Sequence, residues 1–333
     1  MMVGRVRINV GGTDTEKWVG FIGGGYNKNE CKTGNTCDRR GKSFYVVDLS
    51  NGHILWSYTY NDNTASMNYS LPGTAAIVDT DNDTFVDTAY IGDLGGNIWR
   101  FKFCRESDMP SCAISGQTTN WSGSLFYDSS SGAIRPIYTS PAVAKDRAGN
   151  LWVYWGTGDK NDPTAPNAQE YFSGVKDNDR TSTYNINDLQ NLNQKTYTSD
   201  DAGWYIPLNG VGGEKVLADP TIFGGVVYFT TYTPKEGGTN LCEQTGTANL
   251  YAVYYTTGAG ALADGDRSME IGTGMPSSAV VSLSPGNGGG ADIYVTTSGG
   301  TSNAHTQRVN INPGGADNRT NMLYWKDKRI ETN

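Results

Sequence analysis

The stretch TAAIVDTDNDTFVDTAYIGDLGGNIWRFKF, residues 74–103, contains three apolar runs separated by two polar connections. The runs are Ala75–Val78, Ala89–Gly92 and Ile98–Phe103. Short runs of this kind, bounded by Asp and Gly, read as strands joined by tight turns. In the third run Trp99, Phe101 and Phe103 alternate with Arg100 and Lys102, the pattern of a half-buried strand. The first connection carries aspartates at 79, 81, 83 and 87, which are positions 1, 3, 5 and 9 of a calcium loop. Phe85 stands at position 7, where an EF-hand contributes a backbone carbonyl. Position 6 holds Thr84 instead of glycine, and position 12 holds Tyr90 instead of a bidentate glutamate. The spacing therefore predicts one Ca2+ inside a β-hairpin, held by Asp79, Asp81, Asp83, the Phe85 carbonyl and Asp87. Two carboxylates about 5 Å apart repel by roughly 3 kcal/mol at an effective dielectric near 20. A hard divalent cation removes that cost; a solvated acidic turn is the alternative.

The same grammar recurs outward from this stretch. A small residue or proline leads a short apolar strand, then a turn, then a second strand. Ser140-Pro141 leads Ala142–Ala144 and, after a turn at Gly149, Leu151–Gly156. Asp219-Pro220 leads Thr221–Phe223, a Gly224-Gly225 turn and Val226–Thr230. Ser277-Ser278 leads Ala279–Val281 and then Ile293–Val295. The first unit shows only its second strand, Trp18–Gly23. Phe44–Asp48 and Leu250–Tyr254 rhyme as third strands. The second strands recur at intervals of about 60–75 residues, the period of four-stranded propeller blades. Five units are visible, the last ending at Met322–Trp325. The fold class is all-β: a propeller of about five to seven four-stranded blades, read as one domain over 1–333. The polar span from Asp159 to Gly203 reads as a surface excursion.

Composition agrees. The chain has 333 residues, with 43 Gly, 20 Tyr and only 18% charged residues, which suits short strands and tight turns. A net charge of −8 argues against nucleic acid, which needs a basic footprint. No apolar run reaches the roughly 20 residues needed for a membrane span. MMVGRVRINV has no signal-peptide core, so the chain is either cytosolic or a fragment whose leader lay upstream. The cysteines favour the fragment. Cys31 and Cys37 bracket CKTGNTC, and Cys104 and Cys112 bracket CRESDMPSC. Each pair closes a short loop past a strand, so two disulfides and an oxidising compartment are expected. Zinc is the rival, against which stand the spacing and the presence of only two histidines. Cys242 is left over.

These features resemble the C-terminal propeller of PilY-type proteins, the calcium-binding factors of bacterial type IV pili. DTDNDTFVD followed by IGDLGGNIWRF is the specific part. FIGGGYN (21–27), FYVVDLSNGHILW (44–56), YWGTGDKND (154–162), GWYIPL (203–208), ADPTIFGGVVYFTTYTP (218–234) and MLYWKD (322–327) follow in the right order. The resemblance implies a secreted protein at the periplasm, outer-membrane surface or pilus tip. It implies minor pilins and a host or abiotic surface as partners, and roles in pilus assembly, attachment and twitching. It also implies calcium ligands at Asp79, Asp81, Asp83, Phe85 and Asp87. The larger N-terminal part of such proteins lies outside these residues, and no RGD tripeptide occurs.

Blades such as YVVDLSNGHILW also resemble quinoprotein dehydrogenases, which use calcium with pyrroloquinoline quinone. That enzyme needs a ligand cage at the propeller axis, whereas these aspartates share one hairpin. No G-x-S-x-G or H-E-x-x-H occurs, and His53 follows a turn at an exposed position. Asp159/Asp162, Asp177/Asp179 and Asp264/Asp266 could serve a glycosidase but read as solvated loop residues. A stand-alone carbohydrate-binding propeller is a third reading, from the eight tryptophans.

Overall fold

The structure is a computed structural model. It describes residues 1–10, 13–29, 31, 38–60, 67–105, 107, 120–130, 134–165, 169–179, 182–208, 213–235, 246–283, 291–299 and 305–311. Within them the chain forms five sheets in sequence order, the blades of a propeller.

Blade 1 contains β1 (Met2–Val10), β2 (Thr13–Gly23), β3 (Ser43–Asp48) and β4 (Ile54–Thr59), each antiparallel to the next. Its first strand was not visible as a unit in the sequence. It is MVGRVRINV, paired with β2 from Met2↔Phe21 to Val10↔Thr13. Blade 2 contains β5 (Ala76–Val78), β6 (Thr88–Gly92), β7 (Ile98–Lys102) and β8 (Ser122–Tyr127). Blade 3 contains β9 (Ala142–Lys145), β10 (Leu151–Gly156), β11 (Tyr171–Asp177), β12 (Leu189–Asn191) and β13 (Gly203–Pro207). The order in that sheet is β9-β10-β11-β13-β12, with β12 parallel to β13. In blade 4, β14 (Lys215–Val216) and β15 (Thr221–Phe223) both pair with β16 (Val226–Thr233), which pairs with β17 (Thr247–Tyr254) and then β18 (Ser268–Thr273). Blade 5 shows β19 (Val280–Leu283), β20 (Ala291–Thr297) and β21 (His305–Ile311). The strand expected at Met322–Trp325 lies outside the described residues.

Why the blades stack follows from where the aromatics point. Alternate residues of a strand face opposite sides of its sheet, so each blade offers a face to each neighbour. Four apolar clusters fill the four successive junctions. Phe21, Phe44 and Trp56 of blade 1 meet Trp99, Phe101 and Phe103 of blade 2, with Phe44 stacked on Phe101 at 4.1 Å. Tyr90, Ile98 and Phe126 of blade 2 meet Val153, Trp155 and Val175 of blade 3. Phe172 of blade 3 stacks on Phe229 of blade 4 at 3.7 Å and 2°. Leu250 and Tyr228 of blade 4 meet Ile293 and Val295 of blade 5. At the inner edges β1 lies beside β5, β5 beside β9, and β9 beside β15.

Two sequence expectations are corrected here. Strand β7 is not half-buried: Ile98 through Phe101 are all buried, Arg100 included, because both of its faces meet a neighbouring blade. Nor is 159–203 only an excursion. It contains β11, whose Phe172, Ser173, Gly174 and Val175 are buried in mid-sheet. Small residues there admit large neighbours: a Cβ on Gly174 would fall 2.7 Å from the Trp204 ring. That small-residue run, flanked by polar loops, lacks the apolar signature of a strand. Asp177, expected in a solvated loop, closes β11 and is buried against Arg100. Asp159 and Asp162 do lie in loop structure, as does Asp179, which is about half exposed.

Candidate metal loop

The loop at residues 79–87 joins β5 to β6, whose last pair before it is Val78↔Thr88. The hairpin placement agrees with the sequence expectation. The backbone reproduces the tight curl as well. Asn82 and Thr84 adopt φ of 65° and 77°. A β-branched residue at positive φ is a genuine outlier, and Thr84 occupies the position at which the EF-hand keeps glycine. The turn conformation is thus retained although its usual residue is not. The Arg5 guanidinium donates to Thr84 Oγ1 at 2.6 Å, outside the turn.

The carboxylates point inward. Oxygens of Asp79, Asp81 and Asp87 lie within 4.8 Å of one another, the spacing at which a single cation can bridge all three. Each also accepts N–H bonds that fix its rotamer. Asp79 takes Asn82 N at 2.6 Å and Thr84 N at 2.7 Å. Asp81 takes Asp83 N at 3.3 Å. Asp87 takes Thr80 N at 2.8 Å, Thr80 Oγ1 at 2.5 Å and Thr88 Oγ1 at 2.8 Å.

Asp83 differs. It is not gathered with the other three. Its Oδ1 accepts from Phe85 N at 2.8 Å, while Oδ2 is buried, has no hydrogen bond, and faces the Arg7 guanidinium at 3.6 Å. Burial raises the Asp83 carboxyl above the usual range, and Asp81 and Asp79 add to the shift. Burial likewise raises Asp87. Phe85 puts its ring under two guanidinium groups, Arg5 at 4.8 Å and Arg7 at 4.5 Å.

The donor set suits a hard cation: three carboxylates gathered on one curled loop, beside a fourth, Asp83, whose buried oxygen lacks any hydrogen bond. The cationic surround was missed from sequence. Arg5 and Arg7 stand at alternate positions of β1, and Lys145 of β9 donates to Thr80 O at 2.7 Å. The R-V-R alternation was the available signal, but nothing local connects residue 7 to residue 83.

A second acidic element is legible only in the structure. Asp93 accepts from Gly95 N, Asn97 N, Asn97 Nδ2 and Trp99 Nε1. Asp146 repeats this with Ala148 N, Asn150 N, Asn150 Nδ2 and Trp152 Nε1. Both are D-x-x-G-N-x-W turns, DLGGNIW and DRAGNLW, that tie a hairpin to a core tryptophan. Their αL glycines are Gly96 and Gly149 at φ 88° and 85°.

Cys31 and Cys104 are buried. Cys31 Sγ lies 3.4 Å from Asp38 O, and Trp121 Nε1 donates to Cys104 Sγ at 2.9 Å. Cys37, Cys112 and Cys242 lie outside the described residues. No helix among the described residues is long and apolar enough to cross a membrane.

Comparison with known proteins places the chain among relatives of one kind. The family model for the PilY1 beta-propeller domain matches residues 4–204. The type IV pilus biogenesis factor PilY1 homolog of Xylella fastidiosa (strain Temecula1) is 25% identical over 342 residues, covering 89% of this chain and 21% of its own length. The type IV pilus biogenesis factor PilY1 of Pseudomonas aeruginosa (strain PAO1) is 24% identical over 276 residues, covering 66% of this chain and 23% of its own. Thus the chain spans under a quarter of the length of the curated relatives it matches. The crystal structure of the Pseudomonas aeruginosa PilY1 C-terminal domain superposes with a TM-score of 0.61 at 20% identity, over 94% of this chain and 72% of that one. That likeness is one of fold.

Proposed function

The chain belongs to the PilY1 β-propeller family, and from that premise we propose that it is the calcium-binding propeller of a type IV pilus biogenesis factor. In this reading it works at the pilus tip or outer surface with minor pilins, and supports pilus assembly, attachment to host or abiotic surfaces, and twitching. The observation that carries the calcium part is the convergence of Asp79, Asp81 and Asp87 within 4.8 Å on a loop of EF-hand-like backbone. Asp83, through Oδ2, and the Phe85 carbonyl complete the proposed ligand set. The cation would supply the positive charge that four carboxylates on one turn require, and the role is adhesive and structural, not catalytic. Its ligands share one hairpin, unlike a quinone-enzyme cage at the axis.

Calorimetry tests the site. One Ca2+ per chain is expected, and the double change Asp79→Ala/Asp87→Ala should abolish it; unchanged binding would remove the reading. Chelator should speed hydrogen exchange across 74–103 while β16 and β20 stay protected. We also propose disulfides Cys31–Cys37 and Cys104–Cys112, consistent with buried sulfurs at Cys31 and Cys104. Alkylation of all five cysteines in native, oxidised protein would refute them.

A further inference from the structure

At the end of the blade 2–blade 3 junction opposite the acidic loop lies a cavity of about 90 Å³. Its walls include Tyr127, Arg135, Trp155, Thr157, Tyr171 and Ser173. By the same measure a single water needs about 10–15 Å³, so the space exceeds that of a single solvent molecule. Three of the lining residues are almost wholly enclosed: Tyr127 at 6% exposure, Ser173 at 3% and Trp155 at 1%. Among the described residues the Tyr127 hydroxyl, the Ser173 hydroxyl and the Trp155 indole N–H make no hydrogen bond, although each residue borders the cavity. None of these three polar atoms is fully enclosed by protein, so each keeps access to the cavity space.

The other polar groups are already committed. Thr157 Oγ1 donates to Glu170 Oε2 at 2.6 Å and accepts from Tyr171 N at 2.9 Å. Arg135 stacks on the Tyr171 ring at 4.4 Å, with Nε donating to Gln169 O at 2.7 Å and a terminal nitrogen donating to Tyr171 OH at 3.3 Å. That pins the guanidinium at the cavity wall. Gly96, at φ 88°, closes the rim: a Cβ there would meet Arg135 O at 2.5 Å.

The lining is weighted toward donors, although its hydroxyls can also accept. An indole N–H and a guanidinium only donate. Burial raises the Tyr127 phenol above its ordinary pKa, so it keeps its proton. The nearby acid, Glu170, is raised by burial and has Lys215 and Arg135 as positive neighbours and Asp159 as a negative one. A donor-rich cavity of this size, with the Arg135 guanidinium in its wall, calls for a small anionic acceptor. We propose that it is a carboxylate-binding site, taking the carboxylate of a small organic acid or of a peptide terminus through Arg135, Trp155, Tyr127 and Ser173.

The test follows the Trp155 indole resonance in the ¹⁵N-labelled chain, assigned with Trp155→Phe. Acetate is titrated at constant ionic strength against chloride, with acetamide as the neutral isostere. A saturable downfield shift with acetate and none with acetamide is expected. Arg135→Gln should weaken binding about tenfold or more, and Ser173→Ala about threefold, as loss of charged and neutral hydrogen bonds implies. Glucuronate against glucose, and Ac-Ala-Ala with a free against an amidated terminus, separate the two sources. The tighter acid names the ligand class. If Arg135→Gln fails to fold, Ser173→Ala and Tyr127→Phe carry the test. No saturable response to any carboxylate, or equal responses to acetate and acetamide, would overturn the site and leave a water-filled cavity.

Discussion

Replacing Asp177 should unfasten blade 2 from blade 3. Asp177 receives Arg100 NH1 at 2.8 and 3.0 Å and the Tyr90 hydroxyl at 2.5 Å. Both charged side chains are enclosed, at 7% and 6% exposure. Removing one partner of such a pair strands the other charge in the interior, which costs about 3–5 kcal/mol. A stranded Tyr90 hydroxyl adds about 1–3 kcal/mol. Asp179 offers partial relief: its carboxylate sits 3.7 Å from the same nitrogen but is 52% exposed, and an exposed pair recovers about 1 kcal/mol at most. Asp177→Ala is therefore expected to lower the unfolding free energy by roughly 3 kcal/mol or more. Urea unfolding followed by both tryptophan fluorescence and circular dichroism gives the number and checks that the transition is single. The triple change Tyr90→Phe/Arg100→Met/Asp177→Leu, which removes the whole polar group, should recover most of the loss. A cost below about 1 kcal/mol for Asp177→Ala would show that solvent reaches this junction and that the buried-pair argument is wrong.

Burial pushes Asp93 up to about 6, above its unfolded value near 4, so its contribution is present below about pH 4 and lost as pH rises through 6. Native-to-unfolded stability measured from pH 4 to 7 should show this fall, of about 3 kcal/mol at most, and Asp93→Asn should flatten it. Arg7 and a bound cation are alternative partners for Asp83 Oδ2. Hence Arg7→Gln should tighten calcium binding in calorimetry, and by more than Arg5→Gln does. Equal shifts would mean that only net charge matters.

What the sequence revealed depended on whether a signal was local. The acidic loop, its hairpin setting and the Gly224-Gly225 turn were visible because each is written in contiguous residues. Gly224 and Gly225 indeed take φ of 61° and 78°. The blade period was visible because second strands are apolar on both faces. Strand β11 was not, because Gly174 is small to accommodate Trp204 and Tyr154, neighbours that periodicity cannot supply, and Ser173 on the other face lines the cavity. Arg100 read as solvent-facing because alternation assumes one wet face, and a blade has none at mid-sheet. Asp83 was grouped with its three neighbours by spacing. The structure separates it, because Arg7, some 76 residues earlier, faces the same carboxylate.

That separation bears on what the loop can control. The hairpin is held from both sides: Arg5 and Arg7 reach it from blade 1, and Lys145 reaches its backbone from blade 3. A change in charge at residues 79–87 therefore acts on three blades at one rim. It reaches the blade 1–blade 2 core only through Val86 and does not act on the cores beyond, because Phe172 against Phe229 and Leu250 against Ile293 belong to junctions further round the fold. Ligand binding contributes RT ln(1 + [L]/Kd), about 2.7 kcal/mol at a hundredfold excess. Burying one large apolar side chain is worth about 1.5–3 kcal/mol, and each junction buries several. Cation binding on this loop, as proposed, would thus be large enough to set how blades 1, 2 and 3 meet at that rim. It is too small to decide whether the propeller folds.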